Sequence, residues 1–172
     1  FEKSKRENIL LLIGPRRTGK TSTLNLLHLN ISNKYVPVFI DLQAGCNEGI
    51  NTFFESIASN IKEKLESISI DTQIPSSEEF KSRPMFTFKD YLNREIQPKI
   101  NNKKIILMFD EFEALDVSVK NGKIDKIVFD NLRHLMQHNK ILRFIFSGTH
   151  RLEDKYLSDY WSFLFQLVDY HT

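Results

Sequence analysis

Gly14-Pro15-Arg16-Arg17-Thr18-Gly19-Lys20-Thr21 follows directly on the apolar run Ile9-Leu10-Leu11-Leu12-Ile13, and a helix-period stretch over 22–29 follows it in turn. The octapeptide is a complete G-x-x-x-x-G-K-T loop, set between a strand and a helix as such a loop must be to hold phosphates. Its chemistry explains its spacing. Gly14 and Gly19 permit a turn whose backbone N–H groups converge, and the positive end of the next helix adds a dipole that favours an anion. Lys20 brings an ammonium to the outer phosphates, and the Thr21 hydroxyl is the expected ligand of a magnesium ion. Pro15, Arg16, Arg17, Thr18 and the helix-opening Ser22 complete the candidate nucleotide-binding set. Lys20 also counts as catalytic, because it meets the phosphates whose charge changes in the reaction.

A second landmark is Lys104-Ile105-Ile106-Leu107-Met108-Phe109-Asp110-Glu111, an unbroken apolar run that closes on two carboxylates. Such a run marks a strand buried on both faces, hence a parallel sheet. Ligands of these sheets lie at the carboxyl ends of the strands, which predicts Asp110 and Glu111 beside the bound phosphates. Asp110 is the expected metal partner of Thr21, holding the ion or one of its waters. Glu111 is the expected base that polarises the attacking water. Glu113 is better suited to opening the next helix than to chemistry. A third run, Ile141-Leu142-Arg143-Phe144-Ile145-Phe146, closes in Ser147-Gly148-Thr149-His150, and Ser147 and Thr149 are the candidate γ-phosphate sensors.

Between these landmarks the pattern alternates. Residues 35–42 read as a strand that Pro37 confines to a sheet edge, since proline cannot donate to a ladder. Ile50, Phe53, Phe54, Ile57, Ile61, Leu65 and Ile68 repeat at helical spacing. Residues 69–84 lose that period and read as a surface insertion. A helix around Phe88, Tyr91, Leu92 and Ile96 should stop near Pro98. Asn121-Gly122 marks a turn, and Ile124, Ile127, Val128, Leu132, Leu135 and Met136 outline a crossover helix.

Composition bounds the rest. The 172 residues, 41% of them hydrophobic, suit one domain spanning 1–172 with one core. No apolar run is long enough to cross a bilayer, and the lone Cys46 has no internal disulfide partner, so a cytoplasmic protein without a membrane role is expected. A net charge of +2 gives no electrostatic address for nucleic acid. The basic groups Lys3, Lys5 and Arg6, Lys103 and Lys104, and Lys140 and Arg143 read as solubilising charge at strand ends. Of the scattered histidines, only His134 and His138 are spaced to share one helix face. They read as a solvated pair. An N-K-x-D guanine reader is lacking, as Asn139-Lys140-Ile141-Leu142 has no aspartate, so ATP is preferred to GTP.

The three landmarks together resemble the STAND group of P-loop ATPases, in the AAA-like class that carries an additional catalytic glutamate. Arg16-Arg17, Phe109-Asp110-Glu111-Phe112-Glu113 and Ser147-Gly148-Thr149-His150, followed by the aromatic segment around Trp161, carry the likeness. It implies an α/β three-layer P-loop NTPase fold, with a five-stranded parallel sheet of order 5-1-4-3-2 and helices on both faces. It also implies ATP as substrate with Mg2+, homo-oligomerisation in a longer protein, and a nucleotide-dependent switch in bacterial signalling or defence. The chain then reads as one domain of a longer multidomain protein, with Arg16, Arg17 or Arg151 as candidate arginine contacts. Two other classes compete: an assembly module that barely hydrolyses, and a DNA-associated ATPase of the initiator or helicase-loader type. Glu111 speaks against the first of these and the modest charge against the second.

Overall fold

Four parallel strands carry the architecture: β1 (Ile9–Ile13), β2 (Tyr35–Asp41), β3 (Lys104–Asp110) and β4 (Leu142–Gly148), lying side by side in the order β1-β4-β3-β2. The computed structural model describes residues 9–15, 17–31, 33–45 and 49–149. Lys3, Lys5, Arg6, Arg16, Cys46, His150, Arg151, His171 and the aromatic segment around Trp161 therefore lie outside the described residues. The sheet expected to have five strands has four among those described, in the order 1-4-3-2. Pro37 sits opposite Ile106, on a strand that pairs with β3 alone among the described residues, so the edge position that its missing N–H demands is the one observed there.

Alternation along the strands sorts the core into two faces. Val38, Leu107 and Phe144 share a register row and point to one side with Phe109 and Phe146. On the other side Ile106, Met108 and Ile145 meet Leu24 of α1 (Lys20–Asn30). After β2 come a short helical turn, α2 (Leu42–Gly45), and the long α3 (Ile50–Glu66). The predicted period of α3 is realised at Phe53, Phe54, Ile57, Ile61 and Leu65, all buried, whereas Ile68 lies past the end of the helix and is exposed. Two more helices, α6 (Glu113–Lys120) and α7 (Ile127–His138), connect β3 to β4, with Gly122 at φ 68° in the turn between them.

The 69–84 stretch is more than a surface insertion. It contains α4 (Ser77–Ser82), which buries Phe80 completely, and Thr72 is also buried, in contact with the Tyr91 hydroxyl at 3.4 Å. Glu79 closes the start of α4 in the manner of a capping box: Ser76 N–H donates to Glu79 Oε2 at 2.9 Å, and the Ser76 hydroxyl donates to the same oxygen at 2.8 Å. α5 (Pro84–Asp90) begins with a proline at its first turn and runs into a π-helical turn over Tyr91–Ile96, closed by Gln97 N–H donating to the Leu92 carbonyl at 2.9 Å. Phe54 of α3 and Phe88 of α5 lie with ring centroids 5.3 Å apart and join the two helices. Phe54→Ala should cost about 3–5 kcal/mol through lost transfer energy and a residual cavity. Thermal unfolding is expected to fall by on the order of 10 °C, and an unchanged midpoint would deny that this pair anchors α5.

Candidate phosphate-binding and catalytic site

β1 ends at Ile13, Gly14 N–H donates to the Gly148 carbonyl at 3.3 Å, and the chain then turns into α1. This bond ties the loop to the carboxyl end of β4. Gly19 takes φ 83°, a left-handed conformation that a side chain would strain. At Gly14 an added Cβ would lie 3.1 Å from Thr18 Oγ1, whose hydroxyl donates to the Pro15 carbonyl at 2.8 Å. Both glycines thus serve the turn directly. Arg17 holds φ 64° without being glycine. Lys20 Nζ donates to the carbonyls of Gly14 and Pro15, each at 2.8 Å, so the ammonium lies over the loop it is meant to serve.

The two landmarks meet at one hydrogen bond. Thr21 Oγ1 donates to Asp110 Oδ2 at 2.6 Å, across 89 residues of sequence. Asp110 is buried, 5% exposed, and its other oxygen accepts the Glu111 N–H at 3.1 Å. A hydroxyl beside a carboxylate is a hard-oxygen donor pair, which fits magnesium better than a soft metal. Magnesium also keeps several waters and takes few protein ligands, so two suffice. Glu111 stands at φ 52°, a conformation that costs a residue with a Cβ roughly 1–2 kcal/mol. The surroundings hold it there: Phe112 N–H donates to the Ser147 carbonyl at 2.9 Å, and Gln43 Nε2 donates to Glu111 Oε2 at 2.6 Å.

A cleft of about 530 Å³ opens over these groups, lined by Arg17, Lys20 and Thr21 together with Asp110, Glu111 and Glu113. Ser22 and Gly19 line it too, while Pro15 and Thr18 shape the loop without lining the cleft. Of the two sensor candidates, Thr149 lines the cleft and Ser147 does not. The Ser147 hydroxyl is fully buried with no hydrogen-bond partner, because strand alternation turns it to the Ile145 side of the sheet. Glu113 opens α6 as expected, yet it also borders the cleft: Oε2 accepts the Thr149 N–H at 3.4 Å and Oε1 is buried without a partner.

Gln43 escaped the sequence reading. Its place becomes legible only once β2 is paired with β3, which aligns Asp41 with Asp110 and sets Gln43 two residues later at the same carboxyl end of the sheet. Gln43→Ala should leave nucleotide affinity within about twofold and lower turnover about tenfold, since the Glu111 carboxylate loses its tether. Unchanged turnover would reduce this bond to a surface contact.

A family model described as an AAA domain matches residues 3–156. The chain belongs to the AAA domain family. No curated protein matches the sequence. Among solved structures, this AAA domain is similar to the Walker-type ATPase PABY2304 of Pyrococcus abyssi, with a TM-score of 0.63 and 17% identity over 90% of this chain and 43% of that one. It is also similar to the ORC2 protein of Aeropyrum pernix, with a TM-score of 0.57 and 10% identity over 95% of this chain and 41% of the other. Identities this low speak to the fold alone. The AAA domain spans less than half the length of either protein. Among its described residues no helix is long and apolar enough to cross a membrane.

Proposed function

We propose that this AAA domain binds Mg-ATP in the cleft over Lys20 and hydrolyses it, acting as a nucleotide-dependent switch within a longer protein. The observation that carries the reading is the 2.6 Å contact between Thr21 and Asp110, which unites the phosphate loop and the acidic strand in one site. Bound there, magnesium would be held by Thr21 and Asp110 and would offset the negative charge of the phosphates. The backbone N–H groups of the loop and the start of α1 orient the polyphosphate. Glu111 accepts a proton from water as its oxygen attacks the γ-phosphorus, the bond from the γ-phosphorus to the β–γ bridging oxygen breaks, and ADP leaves with that electron pair. Lys20 neutralises charge that builds on the outer phosphates. Thr149, which lines the same cleft, is the sensor this reading retains.

The STAND assignment, a role in signalling or defence, assembly into homo-oligomers and a cytoplasmic setting are the finer parts of the proposal. They rest on the Arg16-Arg17 doublet and on the Phe109-Asp110-Glu111-Phe112-Glu113 and Ser147-Gly148-Thr149-His150 segments. The fifth strand of the 5-1-4-3-2 order would add at β1, which pairs only with β4 among the described residues. The ORC2 structure bears ADPNP and ADP, which supports an adenine nucleotide as the ligand of this fold. Thermal unfolding tests the core of the proposal. Mg-ATP at about 100 times its dissociation constant should add roughly 2.7 kcal/mol and raise the midpoint by about 5–10 °C. No shift with Mg-ATP, or an equal one with Mg-GTP, would overturn the assignment of site or of base.

A further inference from the structure

A second concave site lies at the other end of β4. It is a groove of about 230 Å³ whose polar lining is Lys89, Asn93, Gln97, His134, His138 and Lys140, with Asn139 at its end and buried Leu135 at its base. Among the described residues no carboxylate lines it. Lys140 precedes β4 by two residues, whereas Gly148, the last residue of β4, lines the ATP cleft, so a seven-residue strand, about 20 Å long, separates the sites.

The construction of the groove is regular. Lys89, Asn93 and Gln97 are spaced by four on one ridge, and His134 and His138 by four on the facing one. Four residues overshoot an α-helical turn by about 40°, so such a ridge drifts around its helix. The π-helical turn over Tyr91–Ile96 winds more slowly and takes back part of that drift, which keeps Gln97 in line with Lys89. The imidazoles of His134 and His138 lie 4.7 Å apart between ring centroids. Asn139 Oδ1 is occupied by the N–H groups of Ile141 and Leu142, at 2.9 and 3.0 Å, so its contribution to a ligand is the Nδ2 donor.

We propose that this groove is a binding site for a phosphoryl dianion, carried free or on a small monoester. Two ammonium groups, two imidazoles and the amide donors Asn93, Gln97 and Asn139 converge on a space smaller than the usual 300–1,000 Å³ of organic-ligand pockets. Desolvation, then the charge of Lys89, then that of His138 hold the imidazole of the exposed His134 below its ordinary titration range, and the two charge contributions come from residues of this groove. A phosphoryl group between the ridges would reverse that, protonating His134 and offsetting Lys89, His138 and Lys140 at once. This site is independent of the ATP cleft and of the function proposed for it.

The test is imidazole NMR of the intact protein, titrated with inorganic phosphate, with glycerol 3-phosphate and with chloride at matched ionic strength. Saturable shifts of the His134 and His138 signals and a rise in the His134 pKa are expected with phosphate and not with chloride. Lys89→Gln and His138→Gln should each weaken binding about tenfold. Lys20→Ala should leave it unchanged, which separates this site from the phosphate loop. Tighter binding of the ester would make a monoester the ligand, and equal binding would make free phosphate sufficient. Shifts that chloride reproduces, or that survive Lys89→Gln in a variant whose melting is unaltered, would overturn the proposal.

Discussion

Lys20→Ala should raise the dissociation constant for Mg-ATP by at least about 100-fold. Two charge-assisted hydrogen bonds to the outer phosphates are worth roughly 1.5–3 kcal/mol each, and a factor of ten in affinity needs only 1.4. Among the described residues the same ammonium bonds to loop carbonyls, at Gly14 and Pro15, so the fold should hardly notice its loss. The prediction is therefore a dissociation of two readouts: nucleotide affinity collapses while the melting temperature without nucleotide moves by no more than a few degrees. Calorimetric titration with Mg-ATP measures the first. Equal affinities in variant and parent would remove the nucleotide from this loop altogether.

Glu111→Gln should do the reverse, keeping affinity and abolishing turnover. General base catalysis contributes about 100- to 10,000-fold, and glutamine matches the carboxylate in size but cannot take the proton. Glutamine carries the same Cβ as the glutamate held at φ 52°, so the backbone strain should be matched and a difference in rate should report chemistry. Single-turnover phosphate release, measured on a protein that hydrolyses ATP, decides the matter. Turnover within about tenfold of the parent would pass the base role to another carboxylate, with Glu113 next in line through its unpartnered Oε1.

Much of this site could be read before any coordinates, because the residues that carry it are local. A phosphate loop is contiguous in sequence, and a buried parallel strand announces itself as an apolar run, so Lys20, Thr21, Asp110 and Glu111 could be named and their meeting predicted. Gln43 could not be found by motif, since it acts through a fold-dependent contact with a residue 68 positions away. The burial of the Ser147 hydroxyl is likewise a matter of strand register, invisible until β4 is paired. The 69–84 stretch teaches a different lesson. Its helix start is written in Ser76-Ser77-Glu78-Glu79, a capping-box pattern inside a stretch without apolar period, and one phenylalanine, Phe80, suffices to bury so short a helix. The π-helical turn had no sequence signal of its own, for the apolar positions Tyr91, Leu92 and Ile96 fit an α-helix equally well.

Pro37 gives the sheet a direction of growth. An outer strand is ordinarily an open template onto which another chain can add, and a residue without an N–H in its middle removes one rung from that template. The β2 side is thereby guarded against adventitious strand addition, with its proline already buried against β3. On the β1 side, where β1 pairs with β4 alone among the described residues, no proline interrupts the strand, and a strand added there would lie next to the phosphate loop and feel what that loop holds.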